Sequence, residues 1–388
     1  MSAAPTGATA GGGRQPSSML SIITRLGVGG SDQRLYDVLE ALDRTEHHVV
    51  VGADSTDEAI RRVREHHRVS VEPSLVRSVD PRRDATAVLR LARELRRGGH
   101  PAVMTHQSKA GLVGRLAATV ARTPHVYHSA SMASFGPGYG RIPGLVFQAA
   151  ERVTEPLVDR YFVVGQDLID RMVANGASPA KLELVRSGID TAPFLAARDA
   201  GTTAARAALD LPAEVGVVCF VGRLDERKGA PRLADLFASI AARSRAPITF
   251  LVAGDGPCVD VVGRRVDELG LAGSVRLLGH TDRVPDVLAA SDLVLLPSSA
   301  EGVPQVLVQA AVTGTPFASF DVDGARELLA LGAVGTVAPI GAEDVLVAHA
   351  TSLLGRRQER GPRWSDDVLA QWDRDEILQA YRAALGRG

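Results

Sequence analysis

Hydrophobic positions along the chain fall into short apolar runs separated by longer amphipathic stretches. Leu20-Ser-Ile-Ile-Thr24 is apolar and β-branched, and it runs out into Leu26-Gly-Val-Gly-Gly30. Beyond it Ser31 is a natural N-cap, and Leu35, Val38, Leu39 and Leu42 share one helical face. The alternation then repeats. Strands are predicted at 48–51, 102–105, 125–128, 161–164 and 182–185, with helices at 84–97, 108–122, 145–157 and 167–174. A second series starts near Val215, with strands at 215–221, 248–253, 275–278, 293–296 and 317–320 and helices between them. Strands alternating with helices predict an α/β protein with parallel, doubly wound sheets.

Ser187-Gly-Ile-Asp-Thr-Ala-Pro-Phe194 interrupts the alternation and is the expected hinge. The expected division is a tail at 1–18, one Rossmann-like domain at 19–190 and a second at 191–365. Residues 366–388 form a closing amphipathic helix expected to pack back on the first domain. Ligands of such sheets sit beyond the carboxyl ends of the strands, so the site is expected in the cleft between the domains.

A chain of 388 residues with 45% hydrophobic residues suits two cores of ordinary size. A net charge of −1 gives no basic face for bulk nucleic-acid binding. No apolar run is long enough for a membrane span. Peripheral membrane contact stays open, through Arg141-Ile-Pro-Gly-Leu-Val-Phe147. Cys219 and Cys258 lie far apart, with neither a metal spacing nor a disulfide framework, which suits a reducing cytoplasmic setting. Lysine occurs only at Lys109, Lys181 and Lys228, arginine supplying the other basic residues, so each lysine is informative about its site.

Two segments of the second half carry chemistry. Val221-Gly-Arg-Leu-Asp-Glu-Arg-Lys-Gly229 leads from a strand through a glycine loop to a helix start. Arg223, Lys228 and free backbone N–H groups there suit a diphosphate; the competing reading is a charged surface loop. Ser298-Ser-Ala-Glu-Gly-Val-Pro-Gln-Val-Leu-Val-Gln309 places Glu301 beside free N–H groups, where sugar hydroxyls could be held. Alternatively Glu301 is only a favourable charge at a helix N-terminus.

These segments stand in an ordered set. Gly29-Gly30, Ser108-Lys-Ala-Gly111, Ser187-Gly-Ile-Asp190, Gly222-Arg-Leu with Lys228-Gly, Gly254-Asp-Gly256, Asp292 with Pro297-Ser298, and Gly324-Ala-Arg-Glu327 follow one another along the chain. In this order they resemble the family 4 glycosyltransferases of the GT-B fold, over nearly everything after the tail. The resemblance implies a retaining, metal-independent transfer of a sugar, of hexosyl type, from a nucleotide diphosphate donor to a hydroxyl acceptor. UDP is favoured for the donor, which is a substrate, and no cofactor is expected. Arg223 and Lys228 would stabilise the leaving diphosphate. Glu301, with Gly302 and Val303, would hold the donor sugar. Thr281, Arg283 and Val284 would lie against the base. Gly222 and Gly254 would shape the phosphate loop, and Gly29 and Gly30 would face it from the other domain. The acceptor would be a glycan, a lipid-linked glycan or a small natural product.

The chain departs from the family twice. Gln309 stands where a second glutamate would accept from ribose, so that bond loses its charge assistance. In Pro124-His-Val-Tyr-His-Ser-Ala-Ser-Met-Ala-Ser-Phe135, Ser131 falls where the family carries an active-site histidine, and His128 lies three residues earlier. His106, Lys109 and Phe135 are further candidates on the acceptor side. The departures motivate two alternatives, a non-catalytic nucleotide-sugar-binding homologue and a GT-B epimerase. Asp321-Val-Asp323 has the look of a metal-binding pair but sits in the loop before Gly324, and adjacent His47-His48 and His66-His67 point different ways, so no metal site is expected. Gly27-Val-Gly-Gly30 lacks the dinucleotide spacing and its third glycine.

Overall fold

Parallel strands buried on both faces read as near-continuous apolar runs, and the central strands of this chain have that character. The computed structural model describes residues 16–27, 30–133, 135, 141–355 and 360–386, apart from the side chains of 30, 31, 141 and 143. Its first sheet has seven strands: β1 (Ser18–Ile23), β2 (Glu46–Gly52), β3 (Arg68–Glu72), β4 (Ala102–His106), β5 (His125–Ala130), β6 (Arg160–Val163) and β7 (Leu182–Leu184). Their order is β3-β2-β1-β4-β5-β6-β7. The second sheet contains β8 (Gly216–Val221), β9 (Ile248–Ala253), β10 (Val275–Gly279), β11 (Leu293–Leu296), β12 (Phe317–Phe320) and β13 (Gly335–Ala338), in the order β10-β9-β8-β11-β12-β13. Neighbours in both sheets run parallel, and the order reverses between β1 and β4 and again between β8 and β11. These reversals are the crevices at which doubly wound sheets take ligands.

The apolar pattern misses β3, β13 and the helix Asp57–Arg64. Both strands are sheet edges. β3 is half-exposed and charged at both ends, and β13 is four residues long. An edge strand buries too little apolar side chain to print a clear run. The tail also ends sooner than expected. Glu46 N donates to Ser17 O and Thr45 Oγ1 to Pro16 O, so residues 16–18 join the sheet; residues 1–15 lie outside the described residues.

The C-terminal stretch is two helices, Asp366–Ala370 and Arg374–Leu385, where the pattern predicts one. Asp373 caps the second helix by accepting from Asp375 N and Glu376 N. The break serves the hinge: Ile189 N donates to Trp372 O, and Arg374 N to Ile189 O. The last helix then lies on the first sheet, where Ile377, Leu378 and Tyr381 share a core with Met19, Val38 and Phe162. Arg374 pairs with Asp37 and Glu40 of the helix Gly30–Ala41. From that same helix the fully buried Arg34 donates to Ser129 Oγ, Phe162 O and Val185 O, tying the ends of β5, β6 and β7 together.

Enclosed histidines stay neutral in the fold, His47, His106 and His128 among them. Burial pushes His47 down to about 4 and His106 down to about 3, and holds His128 well below the usual range. Unfolded histidine titrates near 6.5, so the unfolded chain binds the extra protons. The stability these groups contribute is present above about pH 6.5 and is lost as the pH falls toward 4, at up to about 4 kcal/mol per pH unit for three groups near pH 5. Urea unfolding curves at pH 7.5, 6 and 5 should show a steep fall of the midpoint below pH 6.5. A flat midpoint contradicts this account.

Candidate functional site

Two glycine loops leave the second sheet side by side. Gly222 N donates to Ala253 O, Leu224 N to Asp255 O and Cys258 N to Leu224 O. Gly254, at φ +142°, is packed so closely that a Cβ there would overlap the Gly222 carbonyl oxygen. The interlock fixes the loop that carries Arg223 and Lys228. Arg223 projects half-exposed, 3.5 Å from Asp225. Lys228 turns inward, and its Nζ lies 2.6 Å from Glu301 Oε1. The two residues come from loops after different strands, β8 and β11, and only folding brings them together. Arg227 O accepts from Ser299 N and Oγ, which zips the two loops beside that pair.

Glu301 stands on one wall of a cleft of about 330 Å³ between the domains. Met132, Ala133, Asp167, Asp170 and Arg171 line it from the first domain, and Ser299, Asp321, Asp323 and Arg326 from the second. The domains touch beside it. Gly302 meets the Ser131 carbonyl so closely that any side chain would collide, and Val303 fills the space over Gly165 and Gly324. Arg171 pairs with Asp323 at 2.5 Å, Gly324 N donates to Asp167 Oδ2, and Arg186 pairs with Glu327 at 2.5 Å. Arg186 also lies over the Trp372 ring. Burial pushes the Asp323 carboxyl up, against the pull of Arg171.

Of the expected donor residues, Glu301 lines this cleft directly, and the other described ones lie on loops and helices of the second domain or at the start of the helix after β1. Gly222, Gly254, Arg223, Lys228, Glu301, Gly302 and Val303 belong to the converging loops. Thr281 accepts from Arg283 N, while the Arg283 side chain is committed to Asp286 and Ala208 O, just before Val284 opens its helix. Gln309 is half-buried on the helix Gln305–Thr313. Gly30 opens the helix after β1, and Gly29 lies outside the described residues.

The acceptor-side candidates divide. Ser131 and Phe135 are in the loop after β5 that reaches the cleft. Phe135 is buried, and its carbonyl accepts from Arg171. His128 is enclosed: its Nδ1 is 2.8 Å from Thr105 Oγ1, and its ring lies against Tyr161 and below Gly111. His106 is buried at the end of β4 with both ring nitrogens unpaired. Lys109 is buried too, paired with Asp84 and with Ser78 O, so it serves the first domain's own structure. The DxD-like pair is neutralised by arginines, Asp321 by Arg326 and Asp323 by Arg171. Among the described residues no group of three ligating side chains could hold a metal, and no helix is long and apolar enough to cross a membrane. Motif reading missed Arg171 and Asp167 as cleft residues and Arg186 as an interdomain contact. Their one signal was position, just after β6 and β7.

Two facing doubly wound sheets with polar loops converging on one cleft define a GT-B protein. A model described as Glycosyltransferase Family 4 matches residues 28–193, and one described as Glycosyl transferases group 1 matches residues 202–364. The chain belongs to the family 4 (group 1) glycosyltransferases. It is 30% identical over 326 residues to D-inositol 3-phosphate glycosyltransferases of Mycobacterium bovis and Mycobacterium tuberculosis, a match covering 78% of this chain and 65% of theirs. The chain thus spans just under two thirds of the length of the curated relatives it matches. Among solved structures it resembles Anabaena Alr3699/HepE in complex with UDP, with TM-score 0.66, 21% identity, and coverage of 96% of this chain and 100% of that one. It also resembles UDP-GlcNAc 2-epimerase from Methanocaldococcus jannaschii, with TM-score 0.60, 14% identity, and coverage of 95% and 100%.

Lys228 and Glu301 are both mostly buried, so removing either leaves the other charge poorly compensated. A double-mutant cycle of Lys228→Ala and Glu301→Gln, read by urea unfolding without ligand, should give a coupling of about 1–3 kcal/mol. Additive single effects would mean that the pair does not act as a unit.

Proposed function

We propose that this chain is a retaining glycosyltransferase that moves a sugar from a nucleotide diphosphate donor, UDP favoured, to an acceptor hydroxyl without a metal. The observation that carries the reading is the meeting of Lys228 and Glu301 at the cleft wall, 2.6 Å apart, with Arg223 half-exposed on the same loop as Lys228. A cation for a diphosphate and a carboxylate for sugar hydroxyls are thereby set one donor length apart at most. Family membership supports the transfer, and the UDP and UDP-glucose complexes of the Anabaena protein support the choice of base.

The chemistry then runs on one face of the sugar. The bond from the anomeric carbon to the diphosphate oxygen breaks, and the acceptor oxygen bonds to that carbon from the same side. The hydroxyl proton passes to the departing phosphate oxygen. Arg223 and Lys228 stabilise charge that develops only as the bond breaks, the kind of preorganised term that is usually largest. Glu301 orients the sugar, and domain contacts at Gly302 and Arg171 keep water out. The hydroxyl acceptor enters past Ser131 and Phe135. Five carboxylates line the cleft, Asp167, Asp170, Glu301, Asp321 and Asp323, against the guanidinium groups of Arg171 and Arg326. Such a lining, away from Lys228, disfavours an acceptor that itself carries a phosphate group.

Calorimetry with UDP, GDP and ADP tests the reading. One diphosphate should bind clearly, and Arg223→Ala and Lys228→Ala should each weaken it by about 2 kcal/mol. Unchanged binding in both variants would move the phosphate site elsewhere. Incubation with nucleotide-sugar alone separates the alternatives: an altered sugar released without acceptor identifies an epimerase, and binding with no turnover on any acceptor identifies a non-catalytic homologue.

A further inference from the structure

Gln107 follows β4 directly, at φ +67° and ψ 159°. That combination belongs to a region essentially reserved for glycine, and a side chain is held there only when its surroundings over-determine it. Here the surroundings are explicit. The Gln107 amide meets Arg25 twice, Oε1 accepting from Arg25 N at 3.2 Å and Nε2 donating to Arg25 O at 3.0 Å. Arg25 follows β1 and Gln107 follows β4, and the strand order reverses between these two strands. The paired amides therefore bridge the ligand crevice of the first sheet.

The rest of the turn after β1 is fastened in series. Ala110 N donates to Thr24 Oγ1, Leu26 N to Ser55 Oγ, Thr56 N to Leu26 O and Gly27 N to Asp32 Oδ2. Beneath Gln107, His106 is buried with unpaired ring nitrogens, so it cannot replace Gln107 in holding Arg25. Each neighbour of Arg25 has its own tie, and the tie at Arg25 itself comes from a residue in a disfavoured backbone state.

We infer that Gln107 is a positioning residue, which clamps Arg25, and with it the start of the turn after β1, across the switch-point crevice of the first sheet. The inference rests on the glycosyltransferase reading for the turn's task, but the clamp is measurable without it. Glycine at 107 removes the amide and relaxes the backbone, whereas alanine removes the amide and keeps the backbone strained. A residue that serves only stability would let activity follow stability in both variants. A positioning residue separates the two.

The test compares Gln107→Gly, Gln107→Ala and the unaltered protein by hydrogen exchange at residue 25, thermal unfolding, UDP binding and sugar transfer or donor hydrolysis. Exchange at Arg25 N should quicken about tenfold in both variants, as loss of one hydrogen bond worth about that factor predicts. Gln107→Gly should unfold at a higher temperature than Gln107→Ala. Turnover should fall about tenfold in both, while UDP binding, which rests on the opposite domain, stays within about twofold. Unchanged exchange at residue 25 overturns the clamp. Full turnover in Gln107→Gly, or activity that tracks the melting temperature, overturns the positioning role. If the unaltered protein neither transfers nor hydrolyses any donor, the glycosyltransferase reading falls, and exchange at residue 25 still decides the clamp.

Discussion

The cleft depends on a backbone-to-backbone approach, Gly302 of the second domain against the Ser131 carbonyl of the first. No other residue type fits at 302, because any Cβ would meet that oxygen. Once the two main chains are this close, the flanking side chains have little freedom. Val303 must fit over Gly165 and Gly324, Arg171 reaches Asp323, and Arg186 reaches Glu327. Ion pairs of this partly buried kind add little net stability, since desolvation offsets much of the attraction. Their effect is register: like charges or unpaired partners would be costly in any other docking of the domains.

The hinge works by the same logic. Ile189 bonds to Trp372 O and to Arg374 N, so the strand that leaves the first domain is held by the chain's own end. Trp372 is fully buried, and Arg186 lies on its ring. The pair Arg186–Glu327 therefore links three elements: hinge, second domain and C-terminal segment.

Much of this was legible in the sequence, for definite reasons. Central strands such as β8 and β11 are unbroken apolar runs, and the loops after them carry the glycines, Lys228 and Glu301 in local patterns. The pairing of Lys228 with Glu301 could be anticipated only as a shared cleft, since 73 positions separate them. Arg34, Arg171 and Gln107 were not legible. Arg34 sits on a helix like any surface arginine, and only the tertiary fold buries it against the ends of β5 to β7. Gln107 looks like an ordinary residue before a helix, because backbone strain leaves no mark in composition. The apparent catalytic promise of His128 and Lys109 failed to translate into exposure for the converse reason: residue type signals chemistry, whereas burial is settled by neighbours 20 or more positions away, Thr105 and Tyr161 for one and Asp84 for the other.

Lys228 and Glu301 satisfy their charges with each other. On the proposed role this has a consequence for selectivity. A diphosphate arriving at Lys228 draws the ammonium away from Glu301 and leaves a carboxylate that is only about 10% exposed without a partner. A lone sugar at Glu301 has the opposite effect and strands the ammonium. Each half-ligand therefore meets the cost of an unpaired, partly buried charge. A complete donor replaces both ends of the pair at once, phosphate on Lys228 and hydroxyls on Glu301, and avoids that cost. The Lys228–Glu301 ion pair thus favours the intact nucleotide-sugar over either of its fragments, and it does so without any contact to the base.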